Sequence, residues 1–433
     1  MNFRPLKLLS VAEAADLYGK SLPAFEPPAE AVPLTAAVGR VLARDVVADV
    51  DVPGFHRSTV DGYAVRAIDT FGASESLPAL LTVIGEVKMG APAGLSLAPG
   101  QTARIPTGGM LPEGADAVVM LEYAEDLDAQ TIAVQRPAAP GDNVLARGED
   151  MAAGGVVMRK GRLLRAQEVG ALAGIGRMTV EVYRRPVVAI VSSGDEVIPP
   201  DQVPGPGEIR DINAYALSAM VEETGGVPRI IGIVHDDYET LLAAVRGALS
   251  ERLDATAGGT AGGPGPADAV VISGGSSVGT RDATARVIEA VGPPGVIVHG
   301  VAVRPGKPTI LGLAAGDPPR PVIGLPGHPA SAMVVFEVFG RPLIRRLMGL
   351  VSGSERVGVI RARLAENVAS SPAREEYVRV RLVDGPDGPA AVPVPGKSGL
   401  ITTLVQADGL LRVPLGRQGY QAGDEVEVVP FRR

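Results

Sequence analysis

The chain of 433 residues has no cysteine and no tryptophan, and aromatic side chains make up only 3% of it. Without cysteine there are no disulfides, no thiolate nucleophile and no cysteine-bound zinc. Histidine is scarce as well: His56, His235, His299 and His328 are the whole supply, and their spacing fits no helical metal site. No apolar run approaches the ~20 residues of a membrane span, and the first residues lack the apolar core of a secretory signal. A cytoplasmic protein with no membrane partner is therefore expected. Basic runs are absent too, and 41 Lys and Arg against 49 Asp and Glu leave a net charge of -8, which argues against nucleic acid as a partner. Any anion must be held by a local site.

What is present is ample apolar material, 46% of the chain, enough for several cores in a multidomain protein. Ser10 with Glu13 is a capping-box signature for a helix ending near Gly19. From about Pro53 to Arg147 short valine-rich stretches broken by glycine and proline predict a β domain inserted into a longer helical one. GRLLRAQEVGALAGIG reads as a helix. The strand VVAIVSS, a helix capped by Asn213, the strand RIIGIV, a helix from about Tyr238 to Leu253 and a further strand then predict a parallel sheet covered on both faces between about 186 and 340. Residues 255–267, ATAGGTAGGPGPA, read as a flexible surface excursion. After Val357, EYVRVRLV and DEVEVVP alternate as strands of a last β domain.

The most informative stretch is DAVVISGGSSVGTRD, Asp268 to Asp282. A doubly covered strand runs into a loop in which Ser273, Gly274, Gly275, Ser276, Ser277 and Gly279 can turn amides and hydroxyls toward a phosphate. Asp282 adds a hard oxygen ligand for a divalent cation. In an open parallel sheet, ligands bind beyond the carboxyl ends of the strands. The other turns predicted there carry Asp195 and Glu196, Asp236 and Asp237, and the segment PGHPAS. Several acids on one edge suggest magnesium, although any single acidic turn is more simply a helix cap.

The loop also satisfies GxSxG, which raises a serine hydrolase with Ser277 as nucleophile and His328 as base. Gly396-Lys397-Ser398 resembles the end of a Walker A loop, but Ala391 replaces its first glycine, so a turn is the simpler reading. VRPGKP presents Arg304 and Lys307 on a proline-stiffened turn suited to an oxyanion. In the inserted domain, Asp61 of STVDGYAVR and Thr107 of IPTGG stand out, either as functional residues or as plain turns.

STVDGYAVR, IPTGGMLPEGADAVV, GDNVLARGEDM, VSSGDEV, VISGGSSVG, RPGKP, GLPGHPASA and SGLITTLVQADGL occur in this order over nearly the whole chain. Together they resemble the molybdopterin molybdenumtransferases, which include the C-terminal domain of gephyrin. The resemblance implies an α/β multidomain fold in four parts. These are an elongated helical domain (1–52 and 148–184), an inserted β domain (53–147), a three-layer α/β/α molybdopterin-binding domain with a mostly parallel sheet (185–345) and a C-terminal β domain (346–433). It implies a homodimer with a composite active site, and transient contacts with the adenylyltransferase one step earlier and with acceptor apo-molybdoenzymes.

The implied reaction inserts molybdate into adenylylated molybdopterin, with Mg2+-dependent cleavage of the pyrophosphate link and release of AMP. The implied roles are Glu196, Asp236 and Asp282 on magnesium, and Asp61, Thr107 and Asp150 completing the site from the partner subunit. The Ser273–Gly279 loop, Arg304 and Lys307 would hold the pyrophosphate, with Pro326 and Pro329 shaping the wall. Arg374, Lys397 and Ser398 would hold molybdate. The chain departs from the family pattern at His328, where asparagine is usual, at Arg304, where lysine is common, and at Leu145, where arginine is frequent. Molybdopterin adenylyltransferase and a non-catalytic pterin-binding scaffold are the alternatives.

Overall fold

The computed structural model describes residues 8–250, 265–274, 280–350, 358–385 and 388–431, with 280–282 described by their backbone alone. The chain divides into two compact units. One holds 31–38 and 42–181; the other holds 39–41, everything from Val182 onward and the stretch up to Glu30.

Helix α1 (Val11–Ser21) starts as its capping box predicts. The Glu13 amide donates to Ser10 Oγ at 3.2 Å and the Ser10 amide donates back to Glu13 Oε2 at 2.8 Å. It runs past Gly19 to Ser21. Val11, Ala14 and Tyr18 form its buried stripe, and the Tyr18 hydroxyl donates to Gly312 O at 3.4 Å. Arg346 donates to the carbonyls of Gly19 and Leu22 at the other end. α1 therefore packs in the same unit as the α/β layers, because that is where its apolar stripe is covered.

The smaller unit is built on a six-stranded sheet: β1 (Gly62–Val65), β2 (Ala79–Glu86), β3 (Gln101–Ile105), β4 (Ala117–Met120), β5 (Ala124–Asp126) and β6 (Thr131–Val134). Their order is β4-β1-β3-β2-β6-β5, with β2–β3 parallel and the other pairs antiparallel. Alternation divides its faces: Tyr63, Val65, Val119 and Ile132 fill one core, and Ala64, Ala103, Ile105 and Val118 fill another. The helix read over GRLLRAQEVGALAGIG contracts to α2 (Ala166–Gly174), because Glu168 accepts from the Arg165 amide at 3.0 Å and starts the helix there. Around α2 the segments 42–52 and 148–181 hold short strand pairs rather than long helices.

The larger unit carries β7 (Val187–Ser193), α3 (Asn213–Thr224), β8 (Val227–Val234), α4 (Tyr238–Leu249), β9 (Ala269–Gly274), α5 (Thr280–Val291), β10 (Gly295–His299), β11 (Val303–Arg304), β12 (Ile310–Ala314), β13 (Arg320–Leu325), α6 (Pro329–Val335) and α7 (Arg341–Leu347). The sheet order is β8-β7-β9-β13-β12-β10. The first four strands are parallel, and every residue of β7 is buried. α4 and α5 pack on one face, and α3, α6 and α7 group on the other. β12 runs antiparallel to both its neighbours, β13 and β10, and the five residues between β12 and β13 are too few for a parallel crossover.

β14 (Ile360–Leu364), β15 (Glu375–Gly385), β16 (Gly388–Pro393), β17 (Gly409–Val413) and β18 (Glu425–Pro430) pair around a ring that closes through β15–β17. Closure leaves no free edge among these five, and β11 adds beside β15, Val303 opposite Glu375 and Arg304 opposite Glu376.

Candidate functional site

Four parallel strands deliver four turns to one edge of the larger unit. Ser193 stands in register with Val234 and with Gly274, and Ser273 with Leu325. The residues after β7, β8, β9 and β13 therefore share the carboxyl edge. At Gly274 a Cβ would lie 1.9 Å from Ser193 O, so only glycine lets the loop leave β9 here. Gly275, Ser276, Ser277 and Gly279 lie outside the described residues. Asp282 is the third residue of α5, which opens at this same edge.

The acids sit on the β7–β8 flank. Asp236 is half-buried and accepts from the Ser193 hydroxyl at 3.2 Å. Burial pushes its carboxyl above the usual range; the Ser193 bond opposes this, and the charges of Asp195, Glu196 and Asp237 add to the rise. Asp195 is held low by the Asp236 amide, at 3.2 Å, and by His235 at 3.1 Å. Asp237 caps α4 through the Thr240 amide at 2.9 Å. Glu196 is exposed. Thus one acid of this flank is a helix cap, as a lone acidic turn suggests, and Asp236 is crowded by like charge. Among the described residues no group of three acids or histidines is arranged around a cation. Asp236, Glu196 and the Ser193 hydroxyl nevertheless form a hard-oxygen donor set that suits magnesium, and a cation would relieve the repulsion on Asp236.

The donors sit on the other flank. β12 is antiparallel to β13, with Ile310 opposite Gly324, so the turn between β10 and β12 reaches the same edge and brings Arg304 and Lys307 with it. Both are exposed. Arg304 also lies 3.5 Å from Glu376, so it is paired where the sequence suggested a free cation. Arg374, half-buried, immediately precedes β15. Pro326 is buried and Pro329 opens α6. The loop holding Lys397 and Ser398 docks on this segment. The Ala330 amide donates to Ser398 O at 3.0 Å, and Ser398 Oγ lies 2.9 Å from His328 Nδ1. That nitrogen, the base of the hydrolase reading, is engaged by Ser398; Ser277, the nucleophile of that reading, lies outside the described residues.

Two residues missed in the sequence hold this flank together. Asn213 was read as a helix cap, but Asp211 supplies the cap by accepting the Ala214 amide at 3.0 Å. The buried Asn213 amide instead donates to Ser273 Oγ and to Gly327 O, both at 2.8 Å, joining the turns after β9 and β13. Arg379 donates to Gly396 O at 2.7 Å and Thr403 Oγ1 at 2.8 Å, fixing the Lys397 loop from β15. Neither carries a local signal: an asparagine before a helix reads as a cap, and Arg379 is one polar residue in an alternating strand.

In the smaller unit Asp61 and Thr107 meet. The Thr107 amide donates to Asp61 Oδ1 at 2.7 Å and its hydroxyl donates at 3.0 Å, and these bonds hold the Asp61 carboxyl below the usual range. Ser58 and Gly108–Gly109 cross-bond between the two turns, while the Thr59 amide donates to Asn143 O at 2.9 Å. The motifs STVDG, PTGG and GDN thus build one end of the sheet. Asp150 is exposed, its amide donates to Val52 O at 3.1 Å, and no bond among the described residues joins its side chain to Asp61. Arg147, two residues after Leu145, pairs with Asp51 at 2.7 Å.

Comparison with known proteins covers almost all of the chain. Residues 9–176 match the MoeA N-terminal region (domain I and II), 189–346 a probable molybdopterin binding domain, and 361–431 the MoeA C-terminal region (domain IV). The chain is 36% identical to a molybdopterin molybdenumtransferase of Nostoc sp., over 92% of this chain and 88% of that one. It is 34% identical to another of Bacillus subtilis, over 93% and 90%. A crystal structure of a molybdopterin biosynthesis MoeA protein of Pyrococcus horikoshii matches with a TM-score of 0.80 and 31% identity, over 98% of this chain and all of that one.

Proposed function

The chain belongs to the molybdopterin molybdenumtransferase family and acts in molybdenum cofactor biosynthesis, and we propose that it inserts molybdate into adenylylated molybdopterin, coupled to magnesium-dependent cleavage of the pyrophosphate link. The observation that carries this reading is the division of one sheet edge into an acid flank and a donor flank. A nucleotide-linked pterin needs both: hard oxygens for a cation near its phosphates, and hydrogen-bond donors for an incoming oxyanion.

Asp236 and Glu196, with Asp282 at the start of α5, are the residues assigned to Mg2+. When bound, the ion would offset charge on the pyrophosphate oxygens as a water oxygen bonds to one phosphorus and the bridging P–O bond breaks, leaving AMP and the phosphate of the pterin. Asn213 holds Ser273 at the mouth of the glycine loop, which orients the pyrophosphate. Arg374, Lys397 and Ser398 take the molybdate, with Arg304 and Lys307 nearer the phosphates. The dithiolene of the substrate supplies the sulfur ligands, so a chain without cysteine can handle this metal. Asp61 and Thr107, with Asp150, are assigned to the same site from the partner subunit of a homodimer. In Asp61 both donors of Thr107 keep the carboxylate ionised and fixed in direction.

The test is to mix the protein with adenylylated molybdopterin, molybdate and Mg2+, and to measure AMP release together with metal incorporation. Both should occur in equal amounts. Pterin binding without AMP release would mark a scaffold, and adenylylation of free molybdopterin with ATP would mark the adenylyltransferase.

A further inference from the structure

We propose that the larger unit holds a second ligand site, at the amino edge of its sheet, that takes an aromatic carboxylate. A cavity of about 370 Å³ opens there, lined by residues of that unit. Val187 opens β7, Arg320 opens β13 and Asp268 immediately precedes β9, so the cavity lies at the strand ends opposite Ser193, Gly274 and Leu325. Strands of six and seven residues keep the two edges roughly 20 Å apart. No residue of the acid flank or the donor flank lines the cavity. Its volume is that of a small-molecule site.

The chemistry of the walls selects the ligand. Six prolines line the cavity together with Phe25, Leu343 and Leu347. A proline ring is rigid, apolar and without an amide proton, so these walls cover a flat apolar body at little ordering cost and offer it no donors.

Donors come instead from three arginines of the lining, Arg184, Arg320 and Arg346. Arg184 is spent: its Nη2 donates to both oxygens of Asp268, at 2.8 and 3.0 Å, and Asp268 also accepts the Val187 amide at 2.7 Å. That pair neutralises the single carboxylate of the lining among the described residues. Arg320 Nη1 donates to the carbonyls of Leu249 and Ala267 at 2.6 and 3.3 Å. Arg346 donates to the carbonyls of Gly19, Leu22 and Pro23 at 2.8, 3.0 and 3.3 Å. These partners fix both guanidinium groups in place, but they are neutral. Of the three arginines only Arg184 is ion-paired among the described residues. A guanidinium has five N–H donors, so Arg320 keeps Nε and Nη2, and Arg346 keeps Nε, for a further acceptor. An apolar ring with an anionic, acceptor-only head meets both halves of this lining, whereas a neutral apolar molecule leaves two positive charges unmatched.

The chain has no tryptophan, so Phe25→Trp places a single indole at the cavity. Phenylpropanoate and its neutral amide are each titrated into the full-length protein, following the indole fluorescence of this variant and the heat of binding to the wild type. The acid should bind one per chain and shift the indole emission, and the amide should bind at least about tenfold more weakly, because it lacks the charge-assisted bonds. Arg320→Gln and Arg346→Gln should each weaken the acid about tenfold and leave the amide unchanged, a pattern that collapse of the cavity would not give; Arg320→Lys and Arg346→Lys serve where a glutamine variant does not fold, and should bind the acid more tightly than the amide. Saturating adenylylated molybdopterin should leave acid binding unaltered. Equal affinities for acid and amide overturn the proposal, as does the absence of saturation below about 10 mM acid. Displacement by adenylylated molybdopterin overturns it too, since the acid would then sit at the carboxyl edge.

Discussion

The two flanks of the carboxyl edge solve opposite electrostatic problems with the same backbone geometry. On the β7–β8 flank carboxylates crowd one another, and Asp236 is pushed up by burial and by three neighbouring acids. On the β13–β15 flank the exposed Arg304, Lys307 and Lys397 and the half-buried Arg374 supply positive charge, Arg304 lies 3.5 Å from Glu376, and Ser398 meets His328. A third arrangement, Asp61 with Thr107, shows an acid whose Oδ1 accepts two donors. The difference teaches that an acidic turn is informative when its charge is left uncompensated: Asp237 and Asp61 have their donors, and Asp236 has mostly repulsion.

The largest expected effect comes from breaking the acid flank. Asp236→Ala or Asp282→Ala should lower AMP release on the order of 100-fold or more with the sedimentation profile of the wild type retained, in line with losses at metal sites. Undiminished turnover by either variant would remove that acid from the magnesium set. Next comes the donor flank, where Arg374→Ala or Lys397→Ala should raise KM for molybdate roughly 10- to 100-fold while pterin affinity holds, since each removes a charge-assisted bond worth about 1.5–3 kcal/mol. Comparable damage to pterin affinity would erase the distinction between the flanks.

A smaller effect sharpens it. Because the folded-state value of Asp236 is raised, its ionisation costs stability at neutral pH, and that cost disappears as pH falls. Asp236→Asn should therefore raise Tm by a few degrees at pH 7 without magnesium, and Mg2+, expected to raise the Tm of the wild type, should leave that of the variant unchanged. A lower Tm would show that the acid is already compensated.

The satisfied acids supply the contrast. Glu168, buried in α2, is held at about 2, first by Arg165 and also by Arg162 at 2.6 Å. Its value is depressed on folding, so its contribution is complete above pH ~4.5 and lost as pH falls toward 2. Glu168→Gln should cost about 1–2 kcal/mol at pH 6 in urea unfolding, given that both arginines are half-exposed, and nothing near pH 2.

Much of this was legible in the residues. The capping box of α1, the all-apolar strands β7 and β9, and the alternation in β15 and β18 are local signals, and each element formed where its pattern lay. The positions of Asp236 and Gly274 at the carboxyl ends of their strands followed from one rule about parallel sheets, which needs only strand order along the chain. The antiparallel edge was legible in retrospect from the short link between β12 and β13. The docking of α1 was not, because an apolar stripe says that a helix is covered and not by what.

The sequence by itself determined most of the elements and, through eight ordered motifs, the family. Hydrophobic period, turn residues and motif order all act over short stretches, so they can be read without coordinates. Only the tertiary structure decided which acids are compensated, that Asn213 joins two turns instead of capping a helix, and that Ser398 meets His328 across 70 residues of chain. Those facts depend on which side chains folding places within hydrogen-bond reach, and a 2.9 Å contact between distant segments leaves no trace in either segment alone.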